Sequence, residues 1–271
     1  MDNVHVNAAV VSAIIERERD GKIEVLGIGR SRSLGVHRGV VNNITQTIQS
    51  IQQAVEQAES DAGMKIGTVT VGIAGQHIRS LQHSDYITRP NSEEVIGEED
   101  LDTLCNQVYK LVMLPGEEII HVLPQEFIVD DQSGIQNPVG MAGVRLEAKI
   151  HIVTGAVTSA HNIVKCANRS GLDVCDIVLE SLASGEAVLT SEEKELGSAL
   201  LDLGGGTSDL AIFSGKNIKH TFVLGLGGNN LTNDIAIGLR APHADAEIIV
   251  LLDHFLSEVG LGNVMMNVNS L

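Results

Sequence analysis

Leu200–Phe213 reads LLDLGGGTSDLAIF, an apolar run that delivers an aspartate to three glycines and then resumes as a second apolar run. Such runs on either side of a glycine cluster mark two strands joined by a tight turn. Without a Cβ, Gly204, Gly205 and Gly206 are free to take positive φ and to bring their N–H groups against an anion, a nest-like phosphate site. Thr207 adds a hydroxyl donor. Asp202 would repel phosphate oxygens, so its chemistry suits a hydrated Mg²⁺ that bridges protein and polyphosphate. Asp209 opens the return strand. An ordinary Gly-rich hairpin turn remains the alternative for the same residues. Two other phosphate motifs do not fit. A Walker loop needs GK[ST] opening a helix, and Ser214-Gly215-Lys216-Asn217 has no hydroxyl residue after the lysine; Gly27-Ile28-Gly29 lacks the third glycine of a dinucleotide fingerprint. Both read as simple turns or strand ends.

Working outward, SALLDLGGGTSDLAIFSGKNIKHTFVLGLGG gives three successive strands joined by turns. Ahead of it lie the strand KIHIVTG, a helix through Ile163, Val164 and Ala167 closed by Ser170-Gly171, and a strand at Val174–Val178. A short helical stretch, LASGEAVLT, and an acidic turn, SEEKELG, complete that part. Near the start, a strand over Ala8–Ile15, the charged turn ERERDGK and a strand over Ile23–Ile28 form a hairpin. Asn42-Asn43 then caps a helix whose Ile44, Ile48, Ile51 and Val55 recur at helical spacing up to Gly63, and Val69–Ala74 is the next strand. This β-β-α-β opening belongs to an α/β domain. Between Gly75 and Lys149 the character changes, with four of the five prolines, an acidic helix presenting Leu101, Leu104, Val108 and Leu111, and strands near Ile119–Leu123 and Glu126–Val129. An inserted module is expected there.

Composition narrows the functions. A 271-residue chain that is 43% hydrophobic is long and apolar enough to bury a large core. A net charge of −17 repels phosphate backbones and anionic lipid, and 2% aromatics with no Trp leaves few platforms for stacking bases, so nucleic acid is not an expected partner. The N-terminus shows no signal-peptide pattern, no apolar run reaches membrane-spanning length, and Cys105, Cys166 and Cys175 show no C-x-x-C pairing. A cytoplasmic protein with buried or half-buried free thiols is expected. No histidine spacing suits a metal, so His77 and His121 are expected to be structural. Arg145 and Lys149 read as solvated strand-edge charges, with a polymer interface as the alternative.

With its neighbouring strings, the D-x-G-G-G-T-x-D hairpin resembles the second phosphate loop of the actin, heat-shock ATPase and sugar-kinase superfamily. Within it the chain is similar to the FtsA family of bacterial cell division proteins. The similarity runs from about Ala8 to Ile248 through GQHI (Gly75–Ile78), HVLPQEFIVD (His121–Asp130), NPVGMAGVRLEAKIHIVTG (Asn137–Gly155), LASGEAVLT (Leu182–Thr190) and GGNNLTNDIA (Gly227–Ala236).

The resemblance implies an α/β, actin-like (ribonuclease H-like) ATPase fold of two lobes. Residues 1–77 and 150–195 would form the first lobe, 78–149 the FtsA-specific subdomain 1C, and 196–271 the start of the second lobe. It implies ATP with Mg²⁺ as cofactor: Asp202, through water, holds the metal, Gly204, Gly205, Gly206 and Thr207 face the β- and γ-phosphates, Gly227, Gly228 and Asn229 lie by sugar and phosphates, and Glu247 approaches the nucleoside. No catalytic residue is implied; the family is a scaffold with at most weak ATPase activity. Its members polymerise through 1C, bind FtsZ and later division proteins, and reach the inner membrane peripherally through a terminal amphipathic helix. This chain departs from the pattern in three places. Val4–Ala8 reads VHVNA rather than D-x-G-[ST], Val250 stands where a lysine is usual, and the likeness fades after Ile248. The first phosphate loop and much of the second lobe are therefore expected to be absent. The segment IIVLLDHFLSEVGLG carries Asp253 and Glu258 without a cation and reads as a packed helix rather than an anchor. Alternatives are a phosphotransferase of the same superfamily, for which no acceptor-facing carboxylate is identified, and an adaptor that binds no nucleotide.

Overall fold

The computed structural model describes residues 2–6, 10–19, 22–90 and 94–239. In chain order the elements are Asp2–Val6 (β1), Val10–Arg19 (β2), Lys22–Arg32 (β3), Val36–His37 (β4), Val40–Val41 (β5), Ile44–Ala62 (α1), Thr68–Ile73 (β6), Arg79–Thr88 (β7), Glu98–Val108 (α2), Glu117–Val129 (β8), Gln132–Ile135 (β9) and Arg145–Ala156 (β10). They continue with Val157–Arg169 (α3), Asp173–Leu179 (β11), Glu180–Val188 (α4), Ser191–Leu196 (α5), Ser198–Leu203 (β12), Ser208–Ser214 (β13), Asn217–Leu224 (β14) and Gly228–Leu239 (α6).

Five strands form the first sheet in the order β11-β6-β1-β2-β3, with β1 antiparallel to β2 and parallel to β6. The sequence reading began this sheet at Ala8. The structure places β1 ahead of it, a five-residue strand too short for its alternation to register. Val4–Val6 of the segment compared with a phosphate loop thus lies in β1, and the β1–β2 connection, residues 7–9, lies outside the described residues. The charged ERERDGK segment also differs from expectation: β2 runs on to Arg19 and β3 starts at Lys22, so most of the segment belongs to the two strands of the hairpin.

α1 forms as its sequence dictates. The Asn43 side chain accepts from the Gln46 N–H at the N-terminus, Gly63 ends the helix at φ 67°, and Ile51, Ala54, Val55 and Ala58 are buried on one stripe. This stripe and α3 (Ala160, Ile163, Cys166, Ala167) share a core with Val11, Ala13 and Ile15 of β2 and Val69, Val71 and Ile73 of β6. Gly27 and Gly29 let α1 approach closely. A Cβ on Gly29 would stand 1.7 Å from the Ala54 carbonyl oxygen, and one on Gly27 would stand 2.5 Å from that of Ala58. These glycines therefore sit inside a strand, not at its end, and serve close packing. α1 also covers the outer edge of β3. Asp61 Oδ2 accepts from the Ile28 N–H (3.1 Å), Gln57 Oε1 from that of Arg30 (2.9 Å) and Ser50 Oγ from that of Leu34 (3.1 Å).

The inserted segment forms a second sheet, β7-β10-β8-β9, with α2 across one face. Its core joins Leu104 and Val108 of α2 to Phe127, Val129, Leu146, Ala148, Ile150 and Ile152, and Leu111 packs there from beyond the helix end. The two strands expected around Pro124 are one. A bulge at Gln125 between the pairs Lys149–Glu126 and Ile150–Pro124 lets the ladder continue past the proline. Arg89, buried, organises the rim of this module. Its Nη1 donates to the carbonyls of Glu94 and Gly143 (both 2.9 Å), its Nη2 donates to that of Val95 (2.8 Å), and its Nε lies 3.1 Å from Asp100 Oδ2. Asp100 in turn accepts from the Gly97 N–H and so caps α2.

β12-β13-β14 form a third, antiparallel sheet, as the sequence predicts, with Phe213 under α4. SEEKELG is the helix α5 rather than a turn, because Thr190 and Glu193 close a reciprocal capping box. β14 lies along the inserted module. Ser80 Oγ donates to Thr221 O (3.3 Å), Gln82 Nε2 to Lys219 O (3.0 Å), and Asn217 Nδ2 to Gln125 O (2.8 Å).

Gly29→Ala should lower stability by about 3 kcal/mol, as overpacking against a helix backbone does, and thermal unfolding would read it as a lower Tm. Arg89→Ala should cost about 3–5 kcal/mol by stranding Asp100 and three carbonyls, and hydrogen exchange should then locate the loss in the second sheet.

Candidate functional site

The hairpin of the glycine motif is built as a ladder that ends on the pair Leu203–Ser208, leaving Gly204–Thr207 as the turn. The Gly204 N–H closes it on the Thr207 carbonyl (2.9 Å). The three glycines were expected to use positive φ, and none of them does; the nearest residues in the left-handed region are Gly197 and Gly215. Their missing side chains serve close approach instead. The carbonyls of Gly204 and Gly205 accept from the N–H groups of Gly228 and Asn229, both at 2.9 Å, so the loop caps the N-terminus of α6. A Cβ on Gly227 would stand 2.4 Å from the Gly204 oxygen. Asn230 Oδ1 accepts from the Gly227 N–H (3.1 Å), and Ser208 Oγ donates to Leu226 O (2.7 Å). Gly204–Thr207 and Gly227–Asn229, far apart in sequence, thus form one clasp. Glu247 and the segment after Ile248, with Val250, lie outside the described residues.

Carboxyls gather beneath the clasp. Asp202 and Asp209 are directly paired across β12 and β13, so both side chains leave the same face of the sheet. Asp202 Oδ2 accepts from Ser184 Oγ of α4 (3.0 Å). Asp209 is buried and bonded to Thr207; burial pushes its carboxyl up to about 6, the Thr207 hydrogen bond pulls against that, and the Asp202 charge adds to it. Glu180, the first residue of α4, is held well above the ordinary carboxylate range by burial, then by Asp209 and Asp202. Such a set calls for a proton or a cation. Among the described residues no three His, Cys, Asp or Glu side chains are grouped to chelate a metal directly.

Glu180 and Ser184 escaped the sequence reading, which began its helical motif at Leu182. The available signal was helical spacing: residues i and i+4 of a helix that follows directly on the sheet strand β11 share one face. The histidines have structural surroundings. His121 Nε2 accepts from the Leu179 N–H (3.0 Å), which leaves the ring proton on Nδ1, and burial lowers the pKa of His121 and His77. Arg145 stacks on Tyr86 (4.2 Å) and pairs with Glu147, and Lys149 pairs with Glu126, all on the surface of the inserted sheet. An open groove of about 370 Å³ between β8, α3 and β11, lined by Ile119, Val164, Cys175 and Asp176, takes no part in the clasp.

A five-stranded mixed sheet, a glycine-rich hairpin on a second sheet and a glycine turn opening the next helix define the class: an actin-like α/β protein. Among solved structures the fold matches a chain of a PilM-PilN type IV pilus biogenesis complex, with TM-score 0.64 at 12% identity over 96% of this chain and 71% of that one. It also matches the ethanolamine utilization protein EutJ from Carboxydothermus hydrogenoformans, with TM-score 0.51 at 14% identity over 92% and 60%. At these identities the likeness speaks for the fold alone. Sequence matches narrow the class. Residues 75–154 match the SHS2 domain inserted in FtsA, and residues 199–258 match the model of cell division protein FtsA. The chain is 45% identical to the cell division protein FtsA of Pseudomonas aeruginosa over 89% of its own length and 57% of that protein's. It is 37% identical to that of Escherichia coli strain K12 over 91% and 58%. The chain belongs to the FtsA family and spans a little over half the length of these relatives.

Asp209→Asn gives a signed pH test. The Asp209 carboxyl keeps its proton to about 6 when folded, against 3.8 ordinarily, so it contributes stability at low pH that is lost as pH rises through 6. The amide, which cannot ionise, should stabilise the ligand-free protein by about 1–2 kcal/mol at neutral pH. That gain should shrink between pH 6 and 3.8 in denaturant melts.

Proposed function

We propose that the chain is the nucleotide-responsive part of a cell division scaffold, one that binds ATP with Mg²⁺ and uses that binding to bias assembly rather than to transform a metabolite. The observation that carries this reading is the clasp of two glycine turns above Glu180, Asp202 and Asp209. Raised carboxyl pKa values mean that the site gains by accepting positive charge, and because no three acids among the described residues are grouped to chelate an ion directly, an ion there would be held through water. The donor set therefore fits Mg²⁺, with Asp202 as the residue that would hold it through water; when bound, the ion would neutralise phosphate charge. Ser184 orients Asp202, Thr207 holds Asp209, and the bare glycines allow a polyphosphate to approach the loop backbone. Glu247 remains part of the proposal as a nucleoside contact.

On family grounds the same reading extends to partners. The module of β7–β10 would serve self-polymerisation and recruitment of later division proteins. The full-length protein would link FtsZ to the cytoplasmic face of the inner membrane at the septum. A heterologous, open contact between copies suits filaments. Attachment in this reading is peripheral; among the described residues no helix is long and apolar enough to cross a membrane. Turnover would be no more than weak ATPase activity, with no catalytic side chain assigned.

One observation favours a second reading, an adaptor without nucleotide. The N–H groups of Gly204, Gly228 and Asn229 are bonded within the protein, so phosphate capture by those amides would require the clasp to loosen. Calorimetry with Mg-ATP separates the two. The scaffold reading expects binding by the wild type and a loss of about tenfold or more in Asp202→Ala, since a charge-bearing ligand contact is removed. No binding by the wild type would reject it, and an unchanged affinity in the variant would remove the role given to Asp202.

A further inference from the structure

Three non-glycine residues among those described take positive φ: Arg38 (51°), Asp130 (51°) and Lys216 (67°). Each has a local reason. Asp130 Oδ1 accepts from the N–H groups of Val144 and Arg145, and Lys216, in the β13–β14 turn, pairs with Glu195 at 3.3 Å. Arg38 and Gly39 (φ 75°) are the two central residues of the β4–β5 hairpin, a turn that needs positive φ at both and favours Asn-Gly there. The choice of residue is what stands out: Arg38 is exposed at the tip, with no hydrogen bond, ion pair or ring contact among the described residues, where Asn or Gly would cost less.

The turn is also seated against its neighbours. Gly39 is pressed onto the chain leaving β6, where an added Cβ would stand 2.6 Å from Ala74 O and from Gly75 Cα, and the Arg38 carbonyl oxygen would lie 3.1 Å from a Cβ on Gly75. Because β2 runs antiparallel to both β1 and β3, the hairpin that follows β3 lies at the end of the sheet where the parallel strands β1 and β6 also finish. Open α/β sheets bind ligands outside that end. Close contacts continue from there to the clasp. The Gln76 side chain lies where a Cβ on Gly225 would need to be (1.9 Å), and Gly227 abuts Gly204 and Gly205.

Charge agrees with position. No Asp or Glu occurs between Glu24 and Glu56, whereas Arg30, Arg32, His37 and Arg38 all do, in a chain of net charge −17. We infer that Arg38 is an anion-binding arm, held by its hairpin for a phosphate group of the nucleotide at the glycine clasp. This rests on the nucleotide reading above. The guanidinium offers forked donors to phosphate oxygens, and its hairpin belongs to the first lobe whereas the glycine turns belong to the second.

The test combines stability and affinity. Asn accepts left-handed φ more readily than Arg, so Arg38→Asn should raise the Tm of the nucleotide-free protein while weakening Mg-ATP binding by about tenfold. Arg38→Lys keeps both charge and strain and should leave Tm unchanged with a smaller loss of affinity. Arg30→Asn, on ordinary strand backbone, should change affinity by less than about twofold. Equal affinity in Arg38→Asn and wild type, or an equal loss in Arg30→Asn, would overturn the assignment. So would loss of binding to phosphatidylglycerol vesicles with Mg-ATP binding intact, which would make the arm a lipid contact. If Arg38→Asn loses Mg-ATP while Asp202→Ala retains it, the arm stands and the role of Asp202 falls; if the wild type binds none, both fall.

Discussion

Two backbone turns can touch only if nothing projects between them, and that constraint governs this protein's functional end. The carbonyls of Gly204 and Gly205 cap the first turn of α6, and Gly227 leaves no room for a methyl group. Because α6 starts there, the clasp fixes where β14 hands the chain on, and through the paired strands it fixes where Asp202 and Asp209 stand. Any side chain at Gly227 would push the turns apart and move the carboxyls with them. The acids below are the electrostatic counterpart of this steric condition, since like charges facing one another in a buried place store a preference for something positive.

The fold was legible wherever a local rule decided it. Asn43 and Gly63 mark the ends of α1, Ser170-Gly171 the end of α3, and the three strands of Ser198–Leu224 follow from turns at the glycine motif and at Gly215-Lys216. Reading failed where a local rule was overridden from a distance. Pro124 looked like a strand end, but its lost N–H is harmless beside a bulge whose free carbonyl is taken by Asn217, more than ninety positions away. SEEKELG is a different case, since the Thr190–Glu193 capping box that makes it a helix is a local signal outweighed in the reading by the segment's acidity. The site divides in the same way. The residues of both glycine turns were visible as motifs, whereas Glu180 and Ser184 belong to it only through the packing of α4 against β12 and β13. The direction of use was also hidden. Sequence shows that glycines permit close approach, and only geometry shows that their oxygens are engaged.

The inserted module is tied to its host by few but well-directed contacts. β10 carries both: Ile150 and Ile152 belong to the module's own core, while Val153 belongs to that of the first sheet. Its neighbour β7 sends Ser80 and Gln82 to carbonyls of β14, the strand that ends in the second glycine turn. Gln82 also bonds to His151 Nδ1, and burial together with His220 and Lys219 holds that ring's pKa at about 4, so the ring is uncharged at neutral pH. A displacement of β14 would therefore be felt first by β7 and β10, not by the distant edge strand β9.

The outer margin of the first sheet has been closed from within. With Asp61, Gln57 and Ser50 occupying amides along β3 and just beyond it, a neighbouring chain finds little backbone left to pair with. Molecules crowded together would thus be barred at this margin from fusing into a runaway cross-strand aggregate. Whatever joins them must instead be written in side chains, where it can be made reversible and specific.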